Sequence, residues 1–552
     1  MQDGLLRAKK KYRLYSYDGL GRLTKQSIST NGKTVEYDEI VNFYDNYDFL
    51  NEPKYASMTK PNVLSELTYQ AKDYAHGQLT GVWQRASNGE ELMTAMAYDG
   101  YGILVRKMDI GLGKNVTMTS TSYNFVGDMT GEGVSYYAYD EKKGNLSTTI
   151  NASTTNKYDI PHTKLLHSTL YSILDITTGR YLVQGDTLQS FMYDDFGRVI
   201  ANNRKGTEAD MTYGYDEMHG WLTNVYATCG FAQTLYRESG AFAKRFNGSI
   251  SAMTWNMPNT GTTRRYDYAY DGLNRLVHAL YSENKNPIQS SDDFVNVKAP
   301  MSLIPSATKG YDFNDHYSEF VTYDANSNIE TLQRYGMLND KSYGIIDDLS
   351  VEYNGNQRVS VEDASDVKLT YSGAFDFVDG ASNSREYTYN ANGALTKDLN
   401  KGVTSITYDL LGNPTKGTMK DGNNIEYVYA ADGTRLKVTH YTKIASKKYS
   451  SNSRVYFGNL IFEGTQNRIP YTVLFPGGFY MYEGADQLYL QHLYVQDYQG
   501  NNRAVVINDI NNSFVTSQTH YYPYGGSIGD LSTSASFTNG YDYKYSGKEL
   551  DR

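Results

Sequence analysis

The stretch Tyr17-Asp18-Gly19-Leu20-Gly21-Arg22-Leu23-Thr24 decides how the rest of this chain is read. An Asp or Asn that opens a turn accepts backbone amides on its side chain. A glycine or Asn three residues later tolerates positive φ. The residues that follow, Arg22-Leu23-Thr24-Lys25-Gln26-Ser27-Ile28, alternate in polarity as a half-buried strand does. The segment therefore reads as one β-hairpin turn with its returning strand.

The same pattern recurs along the chain. Tyr98-Asp99-Gly100-Tyr101-Gly102, Tyr193-Asp194-Asp195-Phe196-Gly197-Arg198 and Tyr270-Asp271-Gly272-Leu273-Asn274-Arg275 are close copies. Tyr139-Asp140, Tyr215-Asp216 and Tyr323-Asp324 open more divergent ones. Tyr389-Asn390, Tyr408-Asp409 with Gly412, and Tyr429 with Asp432, Gly433 and Arg435 follow, their tyrosines 19 and 21 residues apart. The unit is about 20 residues long, enough for two strands and two turns. A single hairpin cannot bury its own face, so successive units must pair. The expected fold is all-β: a continuous antiparallel strip, read over residues 1–443 and followed by a related β segment over 444–552. Asn284 to Tyr317, with Pro287, Pro300 and Pro305, reads as a loop insertion, and Lys54 to Leu67 as another irregular stretch.

Composition agrees. Of 552 residues, 54 are tyrosine and 49 glycine, which favours strands and tight turns over coiled coil or disorder. The net charge of −10 argues against a nucleic-acid partner, whose phosphates select basic faces. A lone cysteine, Cys229, excludes an internal disulfide. No apolar run reaches the length of a transmembrane helix, and the first residues lack a signal peptide's apolar stretch.

The repeated Tyr-Asp…Gly-Arg-Leu units resemble the Rhs/YD-repeat family of bacterial surface and toxin-delivery proteins, in a style like that of Bacteroidetes members. Three further elements carry the resemblance. Asp497-Tyr498-Gln499-Gly500-Asn501-Asn502-Arg503 is similar to the family's Asp-x-x-Gly-x-x-Arg element, Tyr521-Tyr522-Pro523-Tyr524-Gly525 to its Tyr-x-Pro-Tyr-Gly element, and Tyr545-Ser546-Gly547-Lys548-Glu549-Leu550-Asp551 to the opening of its repeat-associated core. The resemblance implies a strip spiralling into a hollow shell, whole or partial. It also implies a variable toxin or effector encoded beyond Arg552 and a secreted or cell-surface location. Cleavage aspartates and toxin residues of the family have no counterpart to carry over, so the expectation is a non-enzymatic shell segment without cofactor or metal. The alternative is a surface adhesion module that binds a glycan, a protein partner or a target-cell surface.

Other patterns have plainer readings. Gly525-Gly526-Ser527-Ile528-Gly529 matches a hydrolase nucleophile elbow but lacks the strand before and the helix after it. Asp324-Ala325-Asn326-Ser327-Asn328 begins like a calcium loop, yet Ile329 and Tyr335 stand where Gly and Glu are needed. His219, ten residues before Cys229, makes no recognisable pair with it. The motif tyrosines occupy a fixed place in each hairpin, which suits cross-strand architecture better than a local binding patch.

Overall fold

A computed structural model describes residues 2–56, 58, 74–158, 165–204, 207–240, 242–284, 316–445, 448–464, 469–483, 488–508, 513–534 and 543–548. It is almost entirely β. Two long antiparallel sheets, of 22 and 14 strands, hold Tyr12 to Asp363 and Tyr387 to Ser534. Pairing follows chain order: Tyr12–Tyr17 with Leu23–Ser29, that strand with Val35–Tyr44, and onward in the same manner. The second sheet repeats the scheme from Tyr387–Tyr389 and Leu395–Asp398 through Arg435–Ala445 and Lys448–Phe457. Most of the region read as an insertion, residues 285–315, lies outside the described residues, as does 59–67 of the other irregular stretch.

The chain forms two compact units. The first comprises Met1–Leu188, Tyr387–Phe475 and Tyr482–Tyr489; the second comprises Gln189–Glu386, Pro476–Met481 and Leu490–Arg552.

In the first unit, Asp48–Asn51 forms a 3-10 turn and Pro53–Ala56 a helical turn, opened by a proline whose missing N–H costs nothing at that position. Phe49 from this corner stacks on Phe43 at 4.3 Å and brings its ring tip onto Gly81, where a Cβ would sit 2.3 Å from Cζ. Trp83, Met93, Ala95, Met108, Ile110 and Met118 continue the same buried cluster across successive strands. Lys54 places its ammonium 3.8 Å from the Trp83 ring centre.

The core of the second unit is more aromatic and more polar. Trp255 stacks on Tyr266 at 5.2 Å, and Tyr281 meets Tyr317 edge-on at 4.9 Å. Arg334 is buried between Glu319, at 2.8 Å from Nε, and Asp347. Asp347 also accepts the Phe377 amide at 2.8 Å, so the ion cluster ties three strands to the strandless segment that follows them. Buried charges persist only when paired and hydrogen-bonded in this way.

Trp83 is 2 % exposed, so Trp83→Ala should cost the first unit about 3–5 kcal/mol, the usual range for emptying an aromatic core site, measured as a shift of its urea-unfolding transition.

Candidate functional site

Most motif turns are closed by their own aspartate. Asp18 Oδ1 accepts the amides of Leu20 and Arg22, both at 2.9 Å, while Oδ2 accepts Arg22 Nε at 2.7 Å. The Gly21 amide donates to the Asp18 carbonyl at 3.0 Å, and Gly21 holds φ at +79°. Pairing then resumes at Tyr17 opposite Leu23, one residue out of step with Ser16 opposite Lys25. This is a turn followed by a glycine bulge, and the bulge re-aims the tyrosine.

Asp194 with Gly197 and Arg198, and Asp271 with Asn274 and Arg275, reproduce every bond of this set. Asn274 takes the glycine role at φ +61°. Asp99 keeps the two amide bonds, to Tyr101 and Ile103, with Gly102 at φ +77° and no arginine. Asp409 and Asp324 substitute an asparagine for the arginine: Asn413 Nδ2 and Asn328 Nδ2 reach the carboxylates at 3.0 and 2.8 Å. The groups of the calcium-like loop at Asp324 are thus committed to a turn.

The turn after Tyr429 differs from its sequence reading. Ala430 stands in the aspartate slot, and Asp432 caps only the Thr434 amide at 2.9 Å. Gly433 keeps its positive φ, but Arg435 pairs opposite Tyr429, where other copies carry the apolar residue. Two further turns escape a search for Tyr-Asp followed closely by Gly. Tyr123-Asn124 closes on Gly127 and Asp128, and Asn124 Oδ1 accepts the amides of Val126 and Asp128. The Asn allowed at Tyr389-Asn390 is the signal that finds it. Tyr44-Asp45 is split, its carboxylate accepting the amide of Gly77 at 2.7 Å.

Neighbouring turns are linked. Tyr44 Oη donates to the Leu23 carbonyl of the preceding turn at 3.1 Å. The same bond joins Tyr98 to Leu79, Tyr123 to Leu104, Tyr215 to Val199, Tyr270 to Ile250, Tyr323 to Leu276 and Tyr408 to Leu395. The arginine reaches forward over the same tyrosine: Arg22 lies 4.3 Å from the Tyr44 ring centre, Arg198 4.6 Å from Tyr215 and Arg275 4.6 Å from Tyr323. Arg22 also grips Asp45 through both terminal nitrogens, at 3.1 and 2.5 Å. Tyr17, at the head of the first motif turn, is 61 % exposed. Tyr193 sits at the bulge of its own hairpin, as the others do.

A second cluster forms where the C-terminal elements pack within the second unit. Tyr522 Oη donates to the Tyr335 carbonyl and Tyr524 Oη to the Leu276 carbonyl, each at 2.9 Å. Trp255 Nε1 donates to His520 Nδ1 at 3.2 Å. The Gly525-Gly526-Ser527-Ile528-Gly529 stretch is a tight turn closed by Gly525 N to Tyr522 O at 2.9 Å, with Gly525 at φ +95° and Ser527 bridged to Tyr521. Gly529 is fixed by close approach: a Cβ there would lie 2.0 Å from the Gly373 carbonyl oxygen. These glycines serve backbone geometry, and no α-helix follows Ser527 among the described residues, only the short 3-10 turn Tyr545–Gly547. Burial pushes the Cys229 thiol up, away from the reactive thiolate. His219 is bonded to Asp216 at 2.8 Å and stacked on Trp221 at 4.0 Å.

The Arg22 guanidinium, followed by the Gly77 amide, holds the Asp45 carboxyl down at about 2. The Arg22 amide and guanidinium lower Asp18, the Arg275 amide lowers Asp271, and the Asn328 side chain lowers Asp324. A carboxyl lowered on folding stabilises the fold above its unfolded value of about 3.9 and loses that contribution as pH falls through the folded value. Stability should therefore fall between about pH 4 and pH 2, and carbon-detected NMR should place the Asp45 midpoint near 2. A midpoint near 3.9 would contradict the turn geometry. Tyr215→Phe keeps the ring under Arg198 and removes only the bond to Val199. It should cost about 0.5–1.5 kcal/mol in urea unfolding.

No family model matches this sequence, and no curated protein matches it. Solved structures do. The Tc holotoxin pore of Photorhabdus luminescens, bearing a TccC3 point mutation, matches with a TM-score of 0.63 at 14 % identity over 98 % of this chain. TcdB2–TccC3 without its hypervariable C-terminal region gives 0.59 at 14 % identity, and TcdB2–TccC3 itself gives 0.55 at 15 %, each again over 98 % of this chain. The present chain spans about a quarter of each of those chains, 24 %. At such identity the likeness is one of fold alone.

Proposed function

We propose that this chain is a wall segment of an Rhs-type shell that encloses a C-terminal effector and delivers it from a secreted or cell-surface particle. The observation that carries the reading is the fold likeness to TcdB2–TccC3 along 98 % of the chain. The linked turns support it: a wall must resist opening between hairpins, and each bond from a tyrosine to the preceding turn closes one such seam. In this reading the chain performs no chemistry itself. Its motif carboxylates are committed to turn amides and to arginine or asparagine side chains.

The test is to express the coding region together with whatever follows codon 552, then image the purified particle by electron microscopy and treat it with protease. The expected result is a hollow particle in which the downstream polypeptide survives digestion. A solid globule, or a downstream region digested as fast as a free one, would overturn the proposal. Binding on a glycan array would instead favour an adhesion module, provided that it is lost on changing a local tyrosine cluster and kept on changing motif tyrosines.

A further inference from the structure

The C-terminal segment leaves a chamber of about 140 Å³ within the second unit, between the strand Thr263–Tyr270 and the turns at Asp497–Arg503 and Tyr521–Pro523. Arg503 lines it with a side chain only 3 % exposed. Its Nε donates to Asp497 Oδ2 at 2.8 Å, and its Cζ lies 5.0 Å from the Tyr521 ring centre and 5.8 Å from that of Trp255. Its Nη1 is buried and has no hydrogen-bond partner. Asp497 cannot supply one, because it already accepts the amides of Gln499 and Asn501 and the Asn501 side chain, each at 3.0 Å.

Six tyrosines line the chamber. Tyr266, Tyr270, Tyr521 and Tyr522 direct their hydroxyls to backbone carbonyls at 2.8–2.9 Å. Tyr268 and Tyr498 make no such bond among the described residues, and burial raises both hydroxyls, so they stay protonated donors. Arg503, Tyr268 and Tyr498 thus line one chamber, and of their donors the Arg503 Nη1 is the one that is fully buried without an acceptor. Buried donors in native proteins are almost always satisfied, and those facing a charged acceptor are the stronger bonds.

We propose that the chamber is a binding site for a small free oxoanion or carboxylate, held by Arg503 Nη1 and the hydroxyls of Tyr268 and Tyr498. Its volume is close to that of an apolar cavity of about 150 Å³ that admits benzene, so phosphate or acetate fits and a nucleotide does not. Such a ligand would tie the Asp497–Arg503 turn to the sheet beneath it.

Two measurements on the full chain test this. Thermal unfolding at fixed ionic strength, with sodium chloride exchanged for sodium phosphate or sodium acetate, should show a saturable rise in midpoint. In the double variant Tyr268→Phe/Tyr498→Phe, which keeps both rings, the apparent affinity should fall about tenfold or more. No saturable rise, or the same rise in both proteins, would overturn the site. Crystals soaked in selenate should give an anomalous peak beside Arg503 Nη1. Ordered water alone in the chamber would overturn the proposal whether or not the double variant folds.

Discussion

A carboxylate that accepts two turn amides is the interaction on which the rest of this structure depends. Reversing a strand leaves amides with no partner in the ladder, and an unpaired polar group is costly wherever water is excluded. Asp18, Asp194 and Asp271 satisfy two such amides with one oxygen and hold an arginine with the other. The arginine is thereby aimed at the next tyrosine, and that tyrosine bonds back to the strand just begun. At these three turns the hairpin is closed locally and joined to its neighbour by the same few side chains. Where the arginine is replaced, as by Asn413, the turn survives and the forward reach is shortened.

The second unit adds a different device. Where the C-terminal elements pack, the structure relies on buried charge and close backbone approach. Arg334 between Glu319 and Asp347 lies under Phe375 and Tyr522, at 4.8 and 5.2 Å from their ring centres. Arg204 is buried and donates to the carbonyls of Tyr494 and Gly477 at 2.6 and 3.3 Å. Such groups are costly unless fully bonded, so they define one arrangement of the segment and penalise others.

The turns were legible in the sequence because every group that closes them lies within seven residues of the tyrosine. Asp409 with Gly412 could be read without knowing anything distant. The all-β class followed from their number. What Arg22 grips was not legible, since Asp45 is 23 residues away and its own turn is completed by Gly77. Arg435 misled for the opposite reason: it follows a Gly as the motif demands, yet lies one place late and pairs with Tyr429. The Gly529–Gly373 contact and the chamber at Arg503 join residues far apart in the chain, which no local pattern encodes.

The central claim is that neighbouring turns are energetically coupled through arginine and tyrosine, and a double-mutant cycle between Arg275 and Tyr323 tests it most directly. Urea unfolding of Arg275→Met, Tyr323→Leu and the combined variant should yield a favourable coupling of about 0.5–1 kcal/mol, as expected for a guanidinium over an aromatic face at a partly exposed site. Additivity within about 0.3 kcal/mol would mean that the turns close independently and that the link between them is only geometric.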